Sequence, residues 1–347
     1  MADISLTNVE KHFDGVPALR SISVEIQDGE FVALLGPSGC GKSTLLRLLA
    51  GFETPTQGVI SIGATEMANA HTRRSVPPEA RNIGFVFQSY ALWPHMNVRR
   101  NVSYPLEVRG LGKADLIQQA DAALIATGLQ QFADRMPSEL SGGQRQRVAL
   151  ARCLVSDPDA VLLDEPLANL DVALRASMQE VFSDFHRRTK ATMVYVTHDQ
   201  TEAMAMADRI AVMSDGLIAQ FDTPEVLYTQ PRSRFVAGFV GEGSVLPIDE
   251  VVTQDDTVRA RLFGASIPIK TDDPSPNLIC LRPEDLAITE TGDLRAQVIR
   301  CTYLGGHYRL TLKMQNGERM QAESRDRYAD GAQLGLTIDA PWAFSET

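Results

Sequence analysis

Apolar and polar residues alternate through "ISLTNV" and "SISVEI", which predicts two antiparallel strands in the opening stretch, turning near Gly15. "FVALLG" (31–36) is continuously apolar, as a strand buried on both faces is, and "TLLRLLAG" after it repeats at helical spacing and stops at Gly51. From 97 to 155 the period is helical, most clearly in "KADLIQQADAALIATGL". Strands return at "AVLLDEP" (160–166), "TMVYVTHD" (192–199) and "RIAVMSDG" (209–216), with helical stretches between them. That alternation predicts a parallel α/β sheet. After about Gly241 the runs shorten and are separated by Gly, Pro and Asn-Gly turns, with "QNGE" (315–318) predicting a hairpin. This tail reads as a small, barrel-like all-β domain, so the chain divides into 1–240 and 241–347.

Two stretches within this pattern carry phosphate chemistry. "GPSGCGKST" comprises Gly36, Pro37, Ser38, Gly39, Cys40, Gly41, Lys42, Ser43 and Thr44, and fits G-x-x-x-x-G-K-[ST] between a buried strand and a helix. Backbone N–H groups from Ser38 to Thr44 suit phosphate oxygens, Lys42 reaches the β- and γ-phosphates, and the Ser43 hydroxyl suits Mg²⁺. "AVLLDEP" ends a buried strand on two adjacent carboxylates: Asp164 suits Mg²⁺ and Glu165 a general base for an attacking water. Together they predict hydrolysis rather than binding alone. Gln88 and His198 each follow an apolar strand, where α/β ligand sites form, although a polar strand cap is the plain alternative for either.

A third stretch, "LSGGQRQRVALAR" (140–152), opens a helix on Ser141, Gly142 and Gly143, a second glycine-marked anion site about a hundred residues after the first. With Gln88, "LLDEP" (162–166), "LANLD" (167–171) and His198, in this order, the set resembles the ATP-binding cassette (ABC) family. Over its whole length the chain resembles the importer ATPases that carry a C-terminal regulatory domain of the TOBE, or OB, type; "LRPEDL" (281–286) and "YLGG" (303–306) mark that domain. The resemblance implies an α/β P-loop cassette with a RecA-like core, an antiparallel β subdomain and a helical subdomain at about 90–157, followed by the OB-like domain. It implies a head-to-tail homodimer in which Ser141, Gly142, Gly143 and Gln144 of one copy close over ATP held by the P-loop of the other. Phe13 falls where the family stacks an aromatic ring on adenine, and Gln88 where it touches Mg²⁺ and water. "QSYALWPHM" (88–96) falls where it meets a permease, and Tyr90, Leu92, Trp93 and Met96 are apolar enough for a docking groove. Many relatives carry Ser at the position of Ala168, before Asn169, so a hydroxyl contact across the dimer is lacking here.

Composition narrows the role. The net charge of −11 argues against a nucleic-acid or anionic-membrane surface. No apolar run approaches bilayer length and the N-terminus lacks a secretory pattern. Cys40, Cys153, Cys280 and Cys301 are scattered without ligand spacing, as reduced thiols are. The expectation is a peripheral ATPase on the cytoplasmic face of the membrane, working with permease subunits and, through them, an extracytoplasmic solute-binding protein. A soluble cassette acting on DNA or ribosomes is the rival reading, disfavoured by the single cassette and the acidic charge. For the cargo, "FQSYALWPHMNV" and "GFVGEGSVLP" look most like subunits serving ferric iron, polyamines or phosphonates, with ferric iron taken first.

Overall fold

The computed structural model describes residues 2–346 apart from 169, 255, 256, 290, 291 and 293. It divides into two compact units, 1–224 and 225–347.

The first unit opens with β1 (Ile4–Phe13) and β2 (Val16–Ile26), then β3 (Phe31–Leu35), whose five residues are all buried, and α1 (Lys42–Ala50). Strands β4 (Gln57–Ile62), β5 (Thr65–Asn69) and β6 (Arg74–Ser75) join β1 and β2 in an antiparallel sheet of order β2-β1-β4-β5-β6. After β7 (Ile83–Val86) come α2 (Val98–Val108), α3 (Lys113–Ala126) and α4 (Gly142–Leu154), which share their own apolar core of residues such as Val98, Leu124 and Val148. Then β8 (Ala160–Asp164), α5 (Val172–Thr189), β9 (Met193–Thr197), α6 (Gln200–Met206), β10 (Arg209–Ser214) and β11 (Leu217–Asp222) complete the unit. The central sheet runs β11-β10-β3-β9-β8-β7 and is parallel except at its β11 edge.

The continuous apolar runs are explained by that sheet. Residues of β3, β8 and β9 point alternately into two cores, one shared with α1 and the antiparallel sheet, the other with α4 and α5. Because β3, β7, β8 and β9 are parallel, their carboxyl ends lie on one edge, where side chains from distant sequence meet. Burial also explains Arg81, fully inside, whose Nη1 donates to the carbonyls of Leu48 and Leu49 at 2.7 and 2.8 Å. It satisfies the last carbonyls of α1 with a cation, as the helix dipole favours.

The second unit takes α7 (Pro224–Thr229) from its second residue onward, and then α8 (Arg234–Phe239). Eleven strands follow: β12 (Ser244–Pro247), β13 (Glu250–Gln254), β14 (Thr257–Leu262), β15 (Ala265–Pro268), β16 (Leu278–Leu281), β17 (Leu286–Thr289), β18 (Leu294–Tyr303), β19 (Tyr308–Met314), β20 (Arg319–Ser324), β21 (Gln333–Ile338) and β22 (Trp342–Phe344). They form sheets β12-β16-β22, β13-β14-β15 and β17-β21-β18-β19-β20 around a main apolar core, with a smaller cluster of Ala237, Leu278, Cys280 and Phe344 beside it. "QNGE" is the turn between β19 and β20, with Gly317 at φ 91.

The division lies sixteen residues before the one expected at 240/241: Ala237 packs with Leu278, Cys280 and Phe344, Tyr228 Oη donates to Glu284 Oε1 at 2.5 Å, and Arg282 reaches both helices. Its guanidinium donates to the carbonyls of Tyr228, Ala237 and Val240, so α7 and α8 pack with the β domain. Among the described residues no helix is long and apolar enough to cross a membrane.

Candidate active site

The chain leaves β3 at Leu35 and wraps residues 36–41 into a loop that feeds α1. Gly41 has φ 106, and a Cβ there would stand 2.7 Å from the Ala18 carbonyl oxygen, so only glycine fits. Lys42 is buried at the loop centre, where Nζ donates to the carbonyls of Gly36 and Pro37 at 2.8 and 2.9 Å and lies 3.7 Å from Cys40 Sγ. Ala18, Ser38, Gly39, Gly41, Lys42, Ser43, Thr44 and Glu165 line a cleft of about 240 Å³ over this loop. Ser43 Oγ donates to Asp164 Oδ1 at 3.1 Å. Burial pushes the Asp164 carboxyl above its ordinary value, opposed by the Ser43 hydrogen bond and by the Arg47 and Lys42 cations.

Glu165 is the centre of the second group. It has φ 43, the left-handed region that a glutamate adopts at a cost, and strain of this kind gathers at functional sites. Its amide donates to the Val196 carbonyl of β9 at 3.1 Å. Oε1 then lies 3.5 Å from His198 Nδ1, and Oε2 lies 3.5 Å from Gln88 Nε2. Three strand ends, β7, β8 and β9, thus deliver Gln88, Glu165 and His198 to one place.

The glycine-marked helix is built differently. Ser141 Oγ accepts from the Gln144 amide at 3.3 Å and Gln144 Oε1 accepts from the Ser141 amide at 2.9 Å, a capping box that opens α4. A Cβ on Gly143 would stand 2.7 Å from Leu174 Cδ1, so the glycine lets α4 approach α5. None of Ser141, Gly142, Gly143 and Gln144 lines the cleft over residues 36–41. Phe13 also stands apart from the cleft lining; its ring is 43% exposed, with the Lys11 ammonium 4.7 Å from the ring centre. Asn169 lies outside the described residues.

Beside Gln88 is a mostly apolar groove of about 530 Å³, whose walls include Phe85, Phe87, Trp93, Tyr104, Pro105 and Val108. Of the four apolar residues expected to line it, only Trp93 does. Tyr90 and Met96 are 9% and 7% exposed, and Leu92 packs between two cores. Tyr90 and Ala91 adopt φ 62 and 45, a tight fold in which Ala91 lines the groove and Tyr90 does not. Two residues without a motif hold it: Arg152 of α4 donates to the Ala91 and Tyr90 carbonyls at 2.6 and 3.0 Å, and the fully buried Asn101 bonds Trp93, Met96 and Asn97 backbone. Their only signal in sequence is a polar residue on an apolar helical face.

Comparison with known proteins matches the model "ABC transporter" to residues 19–168 and "TOBE domain" to 279–344. The chain is 40% identical to the spermidine/putrescine import ATP-binding protein PotA 2 of Pseudomonas aeruginosa, over 98% of this chain and 96% of that one. It is 43% identical to the Fe(3+) ions import ATP-binding protein FbpC of Rhizobium etli, over 88% and 86%. It is 48% identical to the maltose/maltodextrin import ATP-binding protein MalK of Yersinia pestis, over 76% and 70%. Among solved structures it is similar to cbiO1 from Clostridium perfringens, part of the ABC transporter complex cbiONQ (TM-score 0.59, 29% identity, 64% of this chain and 88% of that one). It is also similar to an ATP-binding cassette in a dimeric post-hydrolysis state with ADP and phosphate (TM-score 0.54, 31% identity, 63% and 98%).

Proposed function

The chain belongs to the ABC transporter family, among its ATP-binding import subunits, and from that premise we propose how its own residues turn over ATP. Such subunits are ATPases coupled to transport, and this one binds ATP and hydrolyses it. In the proposed cycle the amides of residues 38–44 hold the phosphates, and Lys42 exchanges its two loop carbonyls for β- and γ-phosphate oxygens. Phe13 offers its exposed ring to adenine. The Ser43 hydroxyl, the Asp164 carboxylate and the Gln88 amide oxygen are hard oxygen donors of the kind Mg²⁺ takes, which supports them as its holders. When bound, that ion neutralises charge on the phosphates.

Glu165 takes the proton from the attacking water, while Gln88 and His198 flank its carboxylate and hold water and γ-phosphate in line. A second copy supplies Ser141, Gly142, Gly143 and Gln144 to the open side of the γ-phosphate, where a capped helix start favours an anion. The support is geometric, since those residues do not line their own chain's cleft. The groove of Trp93, Tyr104 and Val108 would receive an apolar segment of a permease, placing the subunit on the cytoplasmic face and linking it indirectly to an external solute-binding protein. For the cargo we read ferric iron first. Polyamine is the second reading, favoured by the longer match, 98% against 88% of this chain.

The observation that carries this mechanism is the Glu165 carboxylate between Gln88 and His198. Phosphate release by the purified chain is the test. Glu165→Gln should lower it about 10²–10⁴-fold, the usual worth of a general base, while ATP still binds. An unchanged rate overturns the assignment. Uptake of radiolabelled ferric iron and of spermidine by cells lacking the gene separates the two cargoes.

A further inference from the structure

Behind His198 lies a charged cluster that the mechanism above does not use. Glu202, on α6, keeps a side chain only 5% exposed, and its Oε2 accepts from Tyr195 Oη and Thr197 Oγ1, each at 2.7 Å. Thr197 Oγ1 in turn accepts from the Asp199 amide at 3.0 Å, and Asp199 Oδ1 caps α6 by accepting from the Thr201 amide at 2.8 Å. The residues on both sides of His198 are therefore pinned. A buried carboxylate is stable only when a cation compensates it. That cation is Arg175 of α5: Nη1 donates to Asp199 Oδ2 at 3.2 Å, and Nε stands 3.6 Å from Glu202 Oε1. Its other nitrogen, Nη2, donates to the Leu170 carbonyl at 3.4 Å, in the loop that follows Glu165. Arg175, Thr197, His198, Asp199 and Glu202 share with Glu165 a cavity of about 10 Å³, no larger than one water.

Resting on the reading that Glu165 and His198 act on the attacking water, we propose that Arg175 is a positioning residue for ATP hydrolysis. It fastens the Thr197–His198–Asp199 turn at the end of β9 to the loop at the end of β8, and so sets the distance between His198 and Glu165. A planar guanidinium does this because its fixed fork meets two carboxylates and a carbonyl at once; an ammonium is a single point of charge. Arg175 reaches the reaction only through those partners.

The test is steady-state hydrolysis by the full-length chain. A displacement of about 1 Å in a reacting group costs on the order of 10²-fold, so Arg175→Ala should lower kcat about 10–100-fold and leave KM within about twofold. In a His198→Ala background the same change should cost less than about twofold, because what Arg175 positions is already gone. Multiplying losses in the double variant, or a kcat that falls only with the folded fraction seen in thermal melts, would mark Arg175 as scaffold and overturn the proposal. If Arg175→Ala does not fold, Arg175→Lys carries the test: a lowered kcat at unchanged KM supports the proposal, and a wild-type kcat overturns it. A full-rate His198→Ala overturns the underlying assignment and this inference with it, whereas a slow His198→Ala beside a full-rate Arg175→Ala overturns only the role given to Arg175.

Discussion

Ser43 donates its hydroxyl hydrogen to Asp164 Oδ1 across 3.1 Å, joining the first turn of α1 to the carboxyl end of β8, 121 residues away in sequence. The bond places a half-buried carboxylate beside the glycine-rich loop of residues 36–41. Burial raises that carboxyl above its ordinary value of 3.8, so the folded chain holds the proton more tightly than the unfolded one. The stability it contributes is therefore greatest at low pH and falls as pH rises from about 4 through the raised value. Asp164→Asn removes this loss, since its amide oxygen still accepts from Ser43. Without nucleotide the variant should melt higher than the parent at pH 8, with the gap closing near pH 4. The difference in melting temperature should widen steadily as pH rises from about 4. Hydrolysis should be lost in the same variant, for want of the charge proposed to hold Mg²⁺. Parallel melting curves across pH would show that Asp164 is not the group responsible.

Lys42 and Ser141 separate the two halves of the proposed composite site. In the proposed site Lys42 serves the phosphates bound to its own chain, and a charge-assisted hydrogen bond is worth about 1.5–3 kcal/mol, so Lys42→Ala should weaken nucleotide binding to the monomer about 10–100-fold. Ser141→Arg removes a helix cap, worth about 1 kcal/mol, and places bulk on the face offered to the second copy. Monomer affinity should persist while dimerisation and hydrolysis fail. Fluorescence titration and sizing chromatography measure the two properties. Equal loss of monomer affinity in both variants would remove the second copy from the site.

Val108 stands on the groove beside Gln88 and is 69% exposed. An aspartate there costs the free chain little, because its charge stays in water. Against an apolar partner the same charge is desolvated without a counter-ion. Val108→Asp, at the last residue of α2 where the helix dipole disfavours a carboxylate, should lower the melting temperature by no more than about 4 °C and weaken association with permease-containing membranes about 10–100-fold, on the scale of an interface hot spot. Unchanged co-sedimentation would move the docking site elsewhere.

Much of the nucleotide site is legible in sequence because its determinants are local. A run of apolar residues makes β3, a glycine permits φ 106 at position 41, and Lys42 and Ser43 follow at the helix start. Even the meeting of Gln88, Glu165 and His198 is foreseeable, since each follows a strand and parallel strands end on one edge. What escapes is whatever depends on a partner far along the chain. Tyr90 and Met96 read as groove residues by their apolarity, yet Arg152 and Asn101 fold their loop inward, and neither has a local mark of that duty. The helices α7 and α8 read as the end of the cassette because they follow it directly. Their packing is decided by residues about forty or more positions downstream, Leu278, Cys280, Glu284 and above all the three-carbonyl donor Arg282.

That arginine also corrects where the chain is to be cut. Arg282 donates to the carbonyls of Tyr228, Ala237 and Val240, and its guanidinium lies 4.3 Å from the Tyr228 ring centre. Each buried acceptor left without a donor costs about 1–3 kcal/mol. The two helices it secures have six residues each, far below the length at which an isolated helix persists in water. A chain ending at 240 keeps them and loses Arg282 with the rest of the β domain, so residues 225–240 should unravel. One ending at 224 keeps every residue assigned to ATP and none of that tail. Both should bind nucleotide equally, and limited proteolysis should clip the longer chain within 225–240 at least about tenfold faster than the full-length protein, since cleavage follows the population of the open form. In the full-length chain, Arg282→Met should bring the same cleavage without changing ATP affinity. Protection of 225–240 in the longer chain, or in Arg282→Met, would show that these helices are held by something other than Arg282.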